Sequence, residues 1–387
     1  MAPLIRVIGS LNADMVSVTP RFPEPGETIT ASSFFTSAGG KGANQAVACG
    51  RLSRPRPSSS STASPSQSAS RDPVRVEMVG AVGGRDGHFQ ALLRPTLEKS
   101  GVDTSRIRTI EDAYTGVAVI VVDESAGGEN RIFFSPGANY SGMQPVPEVL
   151  GSGLAAPLPD IIVLQGEIPV ETVIGILRAV REFKEKSRAE GKKGIESGPE
   201  VIYNPAPAPP GGLPEDVYTA VDHLIMNETE AELMAPKTEQ LLKAVPDAEG
   251  QSPREKVARY FHKLGVTYVV ITLGAKGVWY SATDAGTTGP ADQALRVTNE
   301  IPATKVDKVL DTTAAGDTFV GAYAVQIARW RERRREQGKA GQDLTPEDKK
   351  DRYHNVTVEA MRCATRAAAR CVERPGAMDS IPWEDEI

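Results

Sequence analysis

Apolar and polar positions along this chain mark a series of short buried strands. Each strand runs into a polar or glycine-rich junction, and most junctions open a helix. The apolar runs fall at 4–8, 74–80, 161–164, 201–203, 223–226 and 268–272. They end respectively in Ser10-Leu11-Asn12-Ala13-Asp14, the 80–87 glycine stretch, Gln165-Gly166-Glu167, Asn204-Pro205-Ala206-Pro207, the acidic 227–232 stretch and Leu273-Gly274-Ala275-Lys276-Gly277. Near-continuous apolar strands alternating with helices indicate a largely parallel sheet with helices on both faces. Helices are expected from Ala43 onward and over 90–100, 170–183 and 318–330. Val309-Leu310 gives a further apolar approach, expected as a strand end before a tight turn at Asp311. Two stretches differ, at about 14–37 and at 115–135. They are rich in β-formers around turn residues and predict exposed strand pairs that together make a small β-sheet lid. The expectation is one α/β domain over 1–387: a mostly parallel central sheet, helices on both faces and the lid.

Three segments fall outside that pattern. Residues 53–73 are Ser- and Pro-rich with almost no large apolar side chains, and cannot bury a core. Residues 184–200 and 331–350 are highly charged and are expected as surface insertions. Within the last, Arg331-Glu332-Arg333-Arg334-Arg335-Glu336 interleaves acids with bases, which favours a solvated helix face over a nucleic-acid contact.

Composition narrows the classes. A hydrophobic content of 40% and a charged content of 24% fit a soluble globular chain, and a formal net charge of −6 argues against nucleic acid as the main partner. No apolar run reaches the roughly 18 residues of a membrane span, and the start of the chain lacks the pattern of a signal peptide. Cys49, Cys363 and Cys371 form no paired framework, and the four histidines show no metal-ligand spacing. A reducing, cytoplasmic location is expected, with the nucleus left open as a second.

The candidate chemistry lies in the junctions. In an open parallel sheet ligands bind at the carboxyl ends of the strands, so these junctions share one rim. Asn12 and Asp14 stand two apart and can project to one side of an extended segment, as hydroxyl binders or as an Asx turn. Ala38-Gly39-Gly40-Lys41-Gly42-Ala43-Asn44-Gln45 lets backbone approach a ligand ahead of a helix start. It is neither a Walker A loop nor a Rossmann fingerprint, so Lys41 is not a P-loop lysine. In Asp311-Thr312-Thr313-Ala314-Ala315-Gly316-Asp317, small residues precede a helix whose free amides suit an anion, with Asp317 placed to take a proton. An ordinary helix cap is the alternative there. Together, Asn12, Asp14, Gly40, Lys41, Asn44 and Glu167 form a hydroxyl-matching set. Asn227, Glu230, residues 272–277 and residues 314–317 form a phosphate-matching one. One small polyol and one nucleotide is the simplest pairing. Phosphoryl transfer between them needs positioning and charge neutralisation more than covalent chemistry.

The strings GSLNADM at 9–15, AGGKGANQAVA at 38–48, GE at 166–167, NPAPA at 204–208, NETEAE at 227–232, ITLGAKGVW at 271–279 and DTTAAGDTF at 311–319 resemble, in order, the motifs of the ribokinase-like (PfkB-type) carbohydrate kinases. The resemblance runs from Ile5 to Trp383. It implies ATP-dependent phosphorylation of D-ribose at O5, giving D-ribose 5-phosphate, with Asp317 as general base and Ala314, Ala315 and Gly316 as anion hole. It assigns Asn12, Asp14, Gly40, Lys41, Asn44 and Glu167, with Asp317, to the sugar. Asn227, Thr272, Leu273, Gly274, Ala275, Lys276, Gly277 and Gly316 go to ATP. Glu230 is linked to Mg2+, through water. Cys371, Arg374, Gly376 and Ser380, with Asp311 and Thr313, match a site for activating K+, formed mostly by backbone carbonyls. The resemblance also suggests a homodimer through the lid. The 331–350 segment departs from the family pattern, and is expected near the adenine side because it follows the Asp317 helix. A kinase for another small sugar or a nucleoside is the same-fold alternative. A non-catalytic sugar-binding regulatory protein is the alternative of another class, against which the intact Asp317 and its small neighbours speak.

Overall fold

The structure, a computed structural model, describes residues 2–57, 73–126, 129–284 and 295–387. Most of the expected 53–73 insertion and the Gly127-Gly128 turn lie outside these residues. Thirteen strands occur among the described residues: β1 (Leu4–Ile8), β2 (Asn12–Thr19), β3 (Ser33–Gly39), β4 (Arg75–Gly83), β5 (Val102–Ile110), β6 (Gly116–Asp123), β7 (Glu129–Ser135), β8 (Ile161–Leu164), β9 (Glu200–Tyr203), β10 (His223–Asn227), β11 (Tyr268–Thr272), β12 (Val278–Thr283) and β13 (Arg296–Ile301). Nine of them form the central sheet in the order β13-β12-β11-β10-β9-β8-β1-β4-β5. Every pairing from β11 to β5 is parallel, and β12 and β13 add an antiparallel edge. The inner strands are mostly apolar because both faces are covered, and the charges that do occur are paired, as Arg6 of β1 is with Glu77 of β4 at 2.6 Å. Helices Lys41–Arg51, Ala315–Glu336 and Thr357–Val372 pack one face, and Val170–Ala189 and Pro253–Lys263 the other, each over its own apolar core.

The lid is a four-stranded sheet of order β3-β2-β6-β7. Both expected antiparallel pairs form, and a parallel β2–β6 ladder joins them. β2 begins four residues after β1 ends, so Asn12 and Asp14 stand on the lid rather than on the end of the first sheet strand. Phe34, Phe35, Ile132 and Phe133 are exposed on the lid.

Several expectations change. Val309-Leu310 is not a strand; both side chains are exposed, and the segment is held by the Leu310 amide donating to the Val372 carbonyl. The sheet edge nearby is already closed by β13, so the turn at Asp311 is fed by a loop. Residues 184–200 are not a loop throughout: the helix runs on to Ala189, a short turn follows at Gly194–Ser197, and the buried Glu200 opens β9. Likewise 331–350 does not present a solvated face throughout, because Arg331 and Arg334 are buried. Arg331 bonds Asp160 at 3.2 Å and Glu200 at 3.0 Å, Arg335 pairs with Asp160, and Arg352 pairs with Glu200. Buried charge is tolerated only when paired in this way. Arg331 lies fourteen residues along the helix from Asp317, about 21 Å at the α-helical rise. Its partners sit before β8 and at the start of β9, so this segment lies at the amino ends of the strands, away from the expected nucleotide side. A cavity of about 610 Å³ opens there, between Lys184, Arg188, Arg331 and Lys349. None of the candidate site residues lines it.

Candidate active site

The carboxyl ends of β1, β8, β9, β10 and β11 bring the junctions to one rim. Asp317 lies in the first turn of helix Ala315–Glu336 and is buried. Gly321, one turn on, packs against Ala48 and Cys49 of helix Lys41–Arg51 so closely that a Cβ would collide with that of Ala48. This close crossing brings two amides onto the acid: Asn44 Nδ2 donates to Asp317 Oδ2 at 2.9 Å, and Gln45 Nε2 to Oδ1 at 2.9 Å. Ala314 caps the helix at φ 59, the one left-handed non-glycine residue among the described residues. That conformation costs about 1–3 kcal/mol, and it turns the chain into a helix start whose first N–H groups lack intrahelical acceptors.

Acids surround one cation. Lys41 opens its helix, and its ammonium pKa is raised, first by Asp317, against its own burial, and further by Glu167, Glu230 and Asp14. Burial, then Glu167 and Asp317, push the Asp14 carboxyl up to about 7, with Lys41 opposing. Burial also raises Glu167, whose Oε2 accepts from Ser10 Oγ at 2.5 Å and the Lys41 amide at 2.9 Å. Gly40 holds φ 91, and a Cβ there would sit 2.8 Å from the Asn12 nitrogen, so the loop lies directly on β2. Asn139 is an additional part: it exchanges hydrogen bonds with the Leu11 backbone and donates to Asn12 Oδ1 at 2.7 Å, pinning the β1–β2 link.

Asn227 and Glu230 form a reciprocal capping box at 2.7 and 2.8 Å, so both have a structural task at the end of β10. Thr272 ends β11, and the turn that follows exposes Gly274, Ala275 and Lys276; Leu273 is buried there, which leaves its backbone as the part able to meet a ligand. Behind the Asp317 turn, Asp311 accepts from the Thr313 amide at 2.8 Å and the Gly376 amide at 2.9 Å. Cys371 Sγ meets Ser380 Oγ at 3.1 Å and the Thr313 carbonyl at 3.5 Å. All six expected K+-site residues therefore share one cluster; Arg374 joins through its amide, which donates to the Cys371 carbonyl at 3.1 Å, while its side chain is engaged by Glu386.

Reading the residues one motif at a time missed Ser10, Gln45, Asn139 and Asn204 as parts of the site. Their signal is weak in sequence because they bond to other site residues from different motifs. Two buried acceptors, Asn44 Oδ1 and Gln165 Oε1, have no partner among the described residues.

Comparison with known proteins gives the family and agrees with the fold. The family model described as pfkB family carbohydrate kinase matches residues 2–384, and the chain belongs to that family. The chain is 33% identical over 384 residues to a ribokinase of Schizosaccharomyces pombe, covering 98% of this chain and 94% of the relative. It is 31% identical over 386 residues to a ribokinase of Haemophilus influenzae, covering 100% and 97%. The structure of Arabidopsis thaliana ribokinase complexed with ribose and ATP matches with a TM-score of 0.67 and 26% identity, over 100% of this chain and 97% of that one. Within the family the chain is thus an enzyme of the ribokinase type, a phosphotransferase.

Proposed function

We propose that this chain transfers the γ-phosphoryl group of ATP to O5 of D-ribose, giving D-ribose 5-phosphate and ADP. The observation that carries this reading is the buried Asp317 carboxylate, held by two amides at a helix start beside Asp14, Lys41 and Glu167. Asp317 takes the proton of the 5-hydroxyl as O5 attacks the γ-phosphorus. The bond from that phosphorus to the bridging oxygen breaks, and ADP leaves with the electron pair. The amides of 314–316, at the positive helix end, stabilise the transferring group. Asn12, Asp14, Lys41 and Glu167 hold the sugar hydroxyls, and the unpartnered Asn44 Oδ1 accepts from one of them. Asn227 and the 272–277 turn hold the nucleotide.

Among the described residues no three His, Cys, Asp or Glu side chains gather into a metal cage. That fits a Mg2+ ion carried by the phosphates, with Glu230 reached through water. When bound, it neutralises phosphate charge. The 311–313 and 371–380 loops would hold K+ through carbonyls and brace the anion hole. Rates in potassium and sodium buffers of equal ionic strength check this: potassium should be faster, and equal rates would sink it. Phe34 and Phe133 on one face of the lid sheet, with Phe35 and Ile132 on the other, leave an exposed apolar area of the kind monomers rarely keep open. We assign it to a homodimer, expected in solution at twice the 41.3 kDa chain mass and lost on Phe133→Ser.

Offering ribose, deoxyribose, fructose and adenosine with ATP consumption as readout tests the substrate. Ribose should give the highest kcat/KM, and preference for another acceptor overturns the assignment. Asp14 adds a pH dependence. Its ionised carboxylate can accept two hydroxyl hydrogens, and with its pKa near 7 that form fades as pH falls. The sugar KM should therefore rise from pH 8 to pH 6, and Asp14→Asn should flatten the profile at a higher KM.

A further inference from the structure

The Asp317 carboxylate ends a chain of side-chain amides that runs back into the sheet. The backbone carbonyl of Ile225, on β10, accepts from Asn204 Nδ2 at 2.9 Å. A carbonyl oxygen only accepts, so the Asn204 amide must give it nitrogen and turn oxygen the other way. That oxygen accepts from Gln45 Nε2 at 3.0 Å. The second hydrogen on Gln45 Nε2 goes to Asp317 Oδ1 at 2.9 Å, and Gln45 Oε1 accepts from Gln165 Nε2 at 2.7 Å. Turning the Gln45 amide over would set its oxygen against two acceptors and its nitrogen against a donor. One orientation satisfies the chain. Gln45 and Gln165 are fully buried and Asn204 nearly so, so water offers no substitute partners.

We propose that Gln45 is the positioning residue of the transfer base. Its amide fixes the plane of the Asp317 carboxylate against the ends of β8, β9 and β10, and leaves each carboxylate oxygen a lone pair for the incoming hydroxyl. Gln165 stands two residues before Glu167, so the base and the sugar-binding acid are registered to the same strand end. Gln45 itself is sealed behind Asp317 and acts through it. The proposal rests on the reading of Asp317 as base.

The test uses Gln45→Leu and Gln45→Glu in the full chain, with steady-state kinetics from pH 5.5 to 9, calorimetric titration of ribose and thermal melting by circular dichroism. In Gln45→Leu, kcat should fall about 10- to 100-fold, the scale that small misplacement of a reacting group produces, while the ribose Kd stays within about threefold. Gln45→Glu keeps the shape but sets two carboxyl groups together. At high pH they repel and kcat falls. Once the pair holds one proton, the introduced group can donate it to Asp317 as the amide did, so the deficit against wild type should narrow as pH falls. Wild-type kcat in Gln45→Leu overturns the proposal, as does a Gln45→Glu deficit that is the same at every pH. If Gln45→Leu does not fold, the isosteric variant decides. Loss of activity in Asp317→Asn with no effect in the Gln45 variants removes this proposal and leaves the base; activity retained in Asp317→Asn removes the base itself.

Discussion

Asp317→Asn lowers kcat by about two orders of magnitude or more, the range that loss of a general base gives, while both substrates still bind. The substitution is nearly isosteric, and the site around it is set by other residues: Glu167 is held by Ser10 and the Lys41 amide, and Asn12 by Asn139. What changes is basicity, because an amide oxygen does not take up a proton at neutral pH. One local contact also changes. Asn44 and Gln45 both donate to the present carboxylate, and an amide offers them one oxygen instead of two. A small rise in KM is therefore expected beside the large fall in kcat. Pre-steady-state mixing with calorimetric binding separates the two, and a variant turning over ribose near the wild-type rate would remove Asp317 from the chemistry.

Glu200→Ala should destabilise the fold by about 3–5 kcal/mol, the cost of leaving buried charge unpaired. Glu200 Oε1 accepts from Arg331 at 3.0 Å; Oε2 meets His223 at 2.9 Å and pairs with Arg352. Burial alone would raise its pKa, but Arg352, the His223 hydrogen bond and Arg331 hold the carboxyl well below its ordinary value. The sign follows from linkage: a depressed folded-state pKa gives stability that is present above the unfolded value of about 4.5 and lost as pH falls below it. Urea denaturation should show the deficit at pH 7 and a smaller one at pH 4. At 25 °C the folded fraction should keep its ribose KM, since this cluster lies at the far rim. A change below about 1 kcal/mol would mean the two guanidinium groups find other partners.

The sheet was legible because its inner strands leave no freedom: 161–164 and 268–272 are apolar at successive positions, and only a strand covered on both faces needs that. β5 was not, because its sequence, Val102–Ile110, is mostly polar: its apolar residues are Val102, Ile107 and Ile110, with no strand period to read. The charged 184–200 and 331–350 segments misled for a physical reason. A charge run looks solvated until its partners are known, and Asp160 and Glu200 lie far off in sequence from Arg331. The rim residues could be gathered because each follows a strand. The bonds that set their geometry could not, since Gln45 meets Asp317 from 272 residues away. The lid's exposure was legible, but not which of its apolar side chains lie on which face, since strand pairing decides that.

Helix Ala315–Glu336 carries Asp317 in its first turn and, near its other end, the arginine buried between Asp160 and Glu200. Held at both ends and packed against Lys41–Arg51 at Gly321, it cannot fray locally without opening the domain. The amides of its middle turns should exchange with solvent only through global unfolding, so the working lifetime of the enzyme is set by the slowest-opening part of the molecule rather than by its most mobile loop.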